Sequence, residues 1–270
     1  MNLGKQRRLQ RLCASGDGRF LFVPMDHSVS DGPPELTTRF AAVARAAAAA
    51  GADALIAHKG RMSTLVGEAG LRGCGLIVHL SASTVHGPDP DAKVVVGRVD
   101  EAVRLGADAV SVHVNVGSRS EPEQLAALGD VATQCELLGL PLLAMTYLRG
   151  PLVRDPHDAL ALAHVVNVAI DLGADLVKTS MPHPISSVSR IIDASGGRVI
   201  FSGGAEDDSG GFLQTAEFVI GAGAAGLAVG RRVWMSTDPG RVVRELVSLV
   251  HGSSRPHSEQ LVPASRKETV

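Results

Sequence analysis

Short apolar runs recur along the chain, and each breaks off at a polar or ionisable residue. They are Leu21-Phe-Val-Pro-Met-Asp-His27, Ala54-Leu-Ile-Ala-His58, Gly75-Leu-Ile-Val-His-Leu80, Ala109-Val-Ser-Val-His-Val114, Pro141-Leu-Leu-Ala-Met-Thr-Tyr147, the run around Lys178 in Gly173-Ala-Asp-Leu-Val-Lys-Thr-Ser180, Arg198-Val-Ile-Phe-Ser-Gly-Gly204 and Gly226-Leu-Ala-Val-Gly230. Runs of this length bounded by glycine read as parallel strands covered on both faces. Helices are predicted between them over 36–50, 98–105, 158–172 and 211–222. A Gly-Ala-Asp or a near variant recurs at 51, 106, 173 and 223, each time ahead of an even-numbered strand. Glycine there supplies the left-handed residue that stops a helix. Eight strands alternating with helices predict a single-domain α/β fold, the (β/α)8 TIM barrel, better than an open doubly wound sheet. The lack of G-x-G-x-x-G after the first strand also speaks against the latter.

The barrel is expected over 1–250. Residues 1–18 form a short helix outside the repeat that covers the bottom of the barrel, with Lys5, Arg7, Arg8 and Arg11 as a solvated face. From about residue 251 the periodicity fades, and 251–270 reads as a poorly ordered polar tail. With 45% hydrophobic and 20% charged residues and a net charge of -2, the chain is an ordinary soluble composition with no electrostatic case for nucleic acid or membrane. Cys13, Cys74 and Cys135 are far apart and form no C-x-x-C pair, so reduced thiols in a cytoplasmic protein are expected, without a disulfide framework or thiolate metal site. Neither a signal peptide nor a membrane span is expected, because the basic N-terminus has no apolar segment and the Ala-rich run Phe40–Ala57 is interrupted by Arg45 and Asp53.

Chemistry collects where the strands end. In this fold catalytic residues come from the C-terminal strand ends, and those ends carry Asp26, His27, His58, Lys59, His79, His113, Asn115, Tyr147, Arg149, Lys178, Gly203, Gly204, Gly230 and Arg231. Lys178 lies inside an apolar run. Burial disfavours the charged form of lysine, and the neutral amine is a nucleophile; the other reading is a lysine that snorkels to solvent. Period two puts Leu176, Lys178 and Ser180 on one face and Leu143, Met145 and Tyr147 on another. Lys178 and Tyr147 are neighbours in the mouth if both faces point inward. Gly203-Gly204 and Gly230-Arg231 after the last two strands have the form of this fold's phosphate cradle. A lysine nucleophile beside a sugar phosphate predicts Schiff-base aldol chemistry, which needs an acid/base such as Tyr147, Asp26 or His27. Each has a plain alternative: a core aromatic, a turn acid, a histidine packed under a loop. Lys59 is either a rim charge or a ligand for a substrate phosphate or carboxylate. Two rivals stay open, a metal aldolase with His79, His113 and Asp26 as ligands, and a non-catalytic barrel that binds sugar phosphate.

Several motifs resemble those of the archaeal-type class I aldolases: Val23-Pro-Met-Asp-His27, His58-Lys-Gly60, Leu76-Ile-Val-His-Leu-Ser81, the stretch from Gly106 to Ser118, Tyr147-Leu-Arg-Gly150, Gly173-Ala-Asp-Leu-Val-Lys-Thr179 and Ala228-Val-Gly-Arg231. The chain is most similar to the subgroup of 2-amino-3,7-dideoxy-D-threo-hept-6-ulosonate synthases and their actinobacterial relatives that make aminohydroxybenzoate precursors. The resemblance implies a decameric barrel; no cofactor and no metal are expected. It implies Lys178 as Schiff-base residue, Tyr147 as acid/base, Asp26 as its partner, and Gly203, Gly204, Gly230 and Arg231 at the phosphate; Ser202 is expected to bind substrate. His27, Lys59, His113 and Arg149 complete the expected substrate-binding set. L-aspartate 4-semialdehyde is implied as acceptor, with either dihydroxyacetone phosphate or a deoxy-keto hexose phosphate as donor; Ser81-Ala-Ser-Thr-Val-His86 is associated with the former. The chain departs from the family at Leu148, where proline is usual, at Pro182 and Pro184, and in the acidic stretch after Gly204.

Overall fold

The computed structural model describes residues 2–13, 15–65, 69–71, 73–203 and 211–252. Strands β1 (Phe20–Pro24), β2 (Ala54–His58), β3 (Gly75–His79), β4 (Ala109–Val116), β5 (Leu142–Leu148), β6 (Leu176–Thr179), β7 (Val199–Ser202) and β8 (Gly226–Ala228) pair in parallel and close into a barrel, β8 lying against β1. Gly51, Gly106, Gly173 and Gly223 have φ values of 97°, 78°, 99° and 100°, as the helix-stop reading of the repeat requires. β1 is shorter than the apolar run suggested. It ends at Pro24, and Met25-Asp26 turns into the short helix His27–Ser30, so the acid and the histidine stand beyond the strand. β4 and β5 are longer, with register pairs that reach Val116 and Leu148. Helices Lys59–Leu65, Glu121–Leu138, Val188–Ser195 and Pro239–His251 and a ribbon pairing Ser81–Ala82 with Val94–Val95 were not placed by the sequence reading. No helix among the described residues is long and apolar enough to cross a membrane. The residues of the expected tail beyond Gly252 lie outside the described ones.

Alternation along the strands separates two cores. Outward residues such as Leu55, Val78, Val110, Ala144 and Val177 pack under the helices, and inward residues Phe22, Ile56, Ile77, Leu143, Met145, Leu176 and Ile200 fill the barrel. The interior is therefore packed rather than hollow, with Leu12 of the N-terminal segment among its buried members.

The repeat has a second function at the lower mouth. The carboxylates of Asp53, Asp108 and Asp175 accept the backbone N–H of Leu21, Leu76 and Leu142 at 2.7, 3.1 and 2.8 Å. Each aspartate's own N–H bonds the carbonyl of the same leucine. Every such clasp joins one strand start to the next and supplies a partner for an N–H that the ladder leaves over. In the fourth copy Ala225 keeps only the backbone bond, to Val199.

A basic side chain then meets each carboxylate: Lys5 at 2.9 Å from Asp175, Arg11 at 2.7 Å from Asp108, and His251 at 3.0 Å from Asp53. The expectation of a solvated charged face on the N-terminal helix, Leu3–Arg11, is thus corrected. It does cover the lower mouth, but its Lys5 is 3% exposed and tied also to Glu136. Burial pulls the Lys5 pKa down, but the hydrogen bonds its ammonium donates to Asp175 and Glu136, with the fields of both carboxylates, outweigh it and raise the pKa above the ordinary lysine value.

Candidate active site

At the upper mouth the inward positions become polar. Register sets Met145 beside Lys178 and Lys178 beside Ile200, so the lysine stem runs along apolar neighbours and its head reaches the opening. Lys178 is 7% exposed and forms no ion pair among the described residues. Its Nζ lies 5.9 Å from the ring centre of Tyr147. That ring is buried, with the Arg149 guanidinium 4.8 Å from its centre and the His113 ring at 5.0 Å.

Asp26 approaches the same opening from the end of β1. Its Oδ1 is 3.7 Å from His27 Nδ1 and its Oδ2 is 3.8 Å from His79 Nε2, distances beyond a hydrogen bond. Asp26 Oδ1 and His27 Nδ1 are buried without a hydrogen-bond partner among the described residues. Burial raises the Asp26 pKa, yet the fields of His79, His27 and Lys178 outweigh it and leave the carboxyl well below the usual carboxylate range. Burial pushes His79 down to about 4, against the pull of Asp26. His27 and His58 are lowered by the same burial, again opposed by Asp26. The site thus combines an ionised acid, neutral imidazoles and an amine in one buried cup.

His113, on β4 next to β5, is half-buried, and its Nε2 is 2.7 Å from Asn115 Oδ1. Burial, with Lys93 and Arg149 adding to it, pushes its pKa well down. His79 is held through Nδ1 by Ser111 Oγ at 2.8 Å. No group of three or more His, Cys, Asp or Glu side chains arranged to hold a metal ion is present among the described residues.

Two cavities, of about 310 and 430 Å³, meet at Lys178, Tyr147, Arg149, His27 and Arg231. The larger takes in Gly203, Gly230 and Arg231, the expected phosphate residues, together with Ser202 and Arg232; Gly204 lies outside the described residues. A Cβ on Gly230 would come within 2.6 Å of the Pro24 carbonyl oxygen and 3.2 Å of the His27 ring. Glycine is therefore required for β8 to pass β1 and for His27 to sit over the junction. The smaller cavity is bounded by Asp31, Ser83, Asp91 and Lys93 beside Asp26 and His79. Lys59 is not brought to the site. Since β2 turns His58 inward, the next residue starts the helix on the outside, where the Lys59 ammonium pairs with Glu101 at 3.0 Å.

The model of the DeoC/LacD family aldolases matches residues 20–236. The chain belongs to the DeoC/LacD aldolase family. It is 44% identical over 247 residues to the 2-amino-4,5-dihydroxy-6-oxo-7-(phosphonooxy)heptanoate synthase of Streptomyces griseus, covering 91% of this chain and 90% of that one. It is 42% identical over 258 residues to the 2-amino-3,7-dideoxy-D-threo-hept-6-ulosonate synthase of Halobacterium salinarum, covering 94% of each. Among solved structures an archaeal fructose 1,6-bisphosphate aldolase superposes with a TM-score of 0.84 at 28% identity, over 93% of this chain and all (100%) of that one. Another, at 27% identity and a TM-score of 0.83 over the same shares of the two chains, was solved with its catalytic lysine covalently bound to a carbinolamine intermediate. This is an aldolase of the class I type.

In this aldolase the residues that sequence reasoning missed are Lys93, Asp91 and Arg232. Lys93 stands on the irregular segment between β3 and helix Val99–Arg104, where no strand parity points it inward. Its place on a loop at the C-terminal side of the barrel was the one available signal. Arg232 directs its Nε at the Gly203 carbonyl at 3.3 Å and stacks 4.4 Å from the Phe212 ring, supporting the wall of the larger cavity.

Proposed function

We propose that this aldolase joins dihydroxyacetone phosphate to L-aspartate 4-semialdehyde through an iminium on Lys178. One observation carries the reading: a buried amine without an ion-pair partner among the described residues, at the junction of two polar compartments and beside a buried phenol. One compartment accommodates the donor's phosphate on Gly203, Gly230 and Arg231, and the other admits the aldehyde. The names of the two relatives favour a seven-carbon amino-keto product.

The Lys178 amine attacks the donor ketone, and loss of water leaves the iminium. Loss of a proton from the hydroxymethyl carbon turns this into an enamine, whose carbon bonds to the aldehyde carbon while the aldehyde oxygen takes a proton from Tyr147; the proton released from carbon returns to Tyr147 and restores the phenol. Water then hydrolyses the new iminium, releasing the ketone product and the free lysine. Asp26, ionised and facing Lys178, steadies the positive charge that forms on nitrogen, and the neutral imidazoles around it leave that charge unopposed. The apolar barrel excludes the water that would compete for the enamine.

Incubation of the protein with both substrates should yield the seven-carbon amino-keto phosphate, detected by mass, and deoxy-keto hexose phosphate as donor should yield less. A chain that only cleaves fructose 1,6-bisphosphate and ignores aspartate semialdehyde would refute the substrate assignment.

A further inference from the structure

The smaller cavity carries charges of both signs on its outer wall. Lys93 hydrogen-bonds Ser83 Oγ and forms no ion pair among the described residues. Arg149, Asp91 and Asp31 border the same space and lie within electrostatic reach of it: burial and then Arg149 lower the Lys93 pKa, opposed by Asp91, Asp26 and Asp31. The loop is built into place. Its Asp91 carbonyl accepts two buried side-chain amides, Asn115 Nδ2 and Gln124 Nε2, each at 2.9 Å, and the Val85 N–H bonds the Ser30 carbonyl at 2.9 Å across the mouth. Two buried amides on one carbonyl fix where the next residues point. An acceptor ending in a phosphate or a lone carboxylate would call for cations alone. Carboxylates beside cations match a ligand end that carries both charges.

We infer that this compartment selects an acceptor aldehyde bearing an α-amino acid end, Lys93 and Arg149 taking its carboxylate and Asp31 and Asp91 its ammonium. The inference rests on the aldol reading above and deepens it. Charged hydrogen bonds of this kind are worth on the order of 10- to 100-fold in affinity each. The residues select; the bond-making groups remain Lys178 and Tyr147.

Binding of unreactive alcohols tests the selection without requiring turnover. L-homoserine has both charges, 4-hydroxybutyrate lacks the ammonium and 3-aminopropan-1-ol lacks the carboxylate. In calorimetric titrations the native chain should bind L-homoserine about 10-fold or more tighter than either. Lys93→Met should remove the advantage over 3-aminopropan-1-ol and Lys93→Arg should restore it, while Asp31→Asn with Asp91→Asn should remove the advantage over 4-hydroxybutyrate. An unchanged melting temperature and circular dichroism spectrum certify the fold of each variant. Equal binding of the three alcohols, no binding of any, or a higher kcat/KM for glyceraldehyde 3-phosphate than for aspartate semialdehyde overturns the inference. Failure of the parent reading is separate: a chain that discriminates among the alcohols yet forms no imine with dihydroxyacetone phosphate keeps the subsite and loses the aldol function.

Discussion

At the lower mouth of the barrel Asp175, Asp108 and Asp53 meet Lys5, Arg11 and His251 at 2.9, 2.7 and 3.0 Å, and each also holds a strand-start N–H. At the upper mouth Asp26 faces His27 and His79 across 3.7 and 3.8 Å, and Lys178 forms no ion pair among the described residues. The same fold thus uses ionisable groups in two ways. Paired and doubly bonded charges are spent on holding strands together, whereas charges kept apart in a buried cup retain the capacity to bind or react. The contrast extends to pH. His251 below has its pKa raised by Asp53 and Asp17 in spite of burial, while His79 above is lowered by burial to about 4.

If the lower mouth is structural, Lys5→Met should be the most costly change, since it leaves Asp175 buried without its cation. Breaking a buried pair costs about 3 to 5 kcal/mol, and denaturant unfolding measures it. A loss under 1 kcal/mol would place Lys5 among ordinary surface charges and blur the comparison.

The pH dependence should have opposite signs at the two mouths. Between about pH 6.5 and 4 the unfolded chain takes a proton that folded His79 refuses, so stability falls as pH falls. Over that window His79 alone accounts for up to about 3 kcal/mol, and His79→Gln should flatten the decline. His251, with a raised folded pKa, contributes stability that is full below about pH 6.5 and lost as pH rises through the folded value. His251→Gln should therefore cost more at pH 5.5 than at pH 9. Asp26 acts lower still: its depressed pKa gives stability present above about pH 3.8 and lost below it. Unfolding curves across this range in the two variants decide the signs.

Tyr147→Phe keeps the ring that stacks with Arg149 and His113 and removes only the hydroxyl. Turnover should fall about 10²-fold or more while imine trapping survives. Turnover at the native rate would make Tyr147 a core aromatic and pass the proton role to Asp26 or His27. Arg11→Gln should have the smallest effect, under about 1 kcal/mol, because the Arg11 side chain is 56% exposed.

Much of this contrast was legible from the chain. Apolar runs ending in ionisable groups located the upper mouth, and period two placed Lys178 beside Tyr147. Lys59 was grouped with the site beside His58, although the parity of their strand puts the two on opposite sides, and the Lys59 ammonium pairs outside with Glu101. The lower mouth was half legible. Gly-Ala-Asp marked helix ends by its glycine, but the partners of its aspartate lie in a strand start 32 or 33 residues earlier and in a terminal helix, contacts that only closure of the barrel creates. Lys93 was missed for a different reason. Its position depends on Asn115 and Gln124 gripping the Asp91 carbonyl, and such a loop carries no period to read.

The most direct test is borohydride reduction of the protein in the presence of dihydroxyacetone phosphate, followed by peptide mapping. Among the described residues two lysines line these two cavities, Lys178 and Lys93. The reduced donor adduct should appear on Lys178 in the native chain and be absent from Lys178→Ala. An adduct on Lys93, or none at all, would contradict the assignment of Lys178 as the nucleophile.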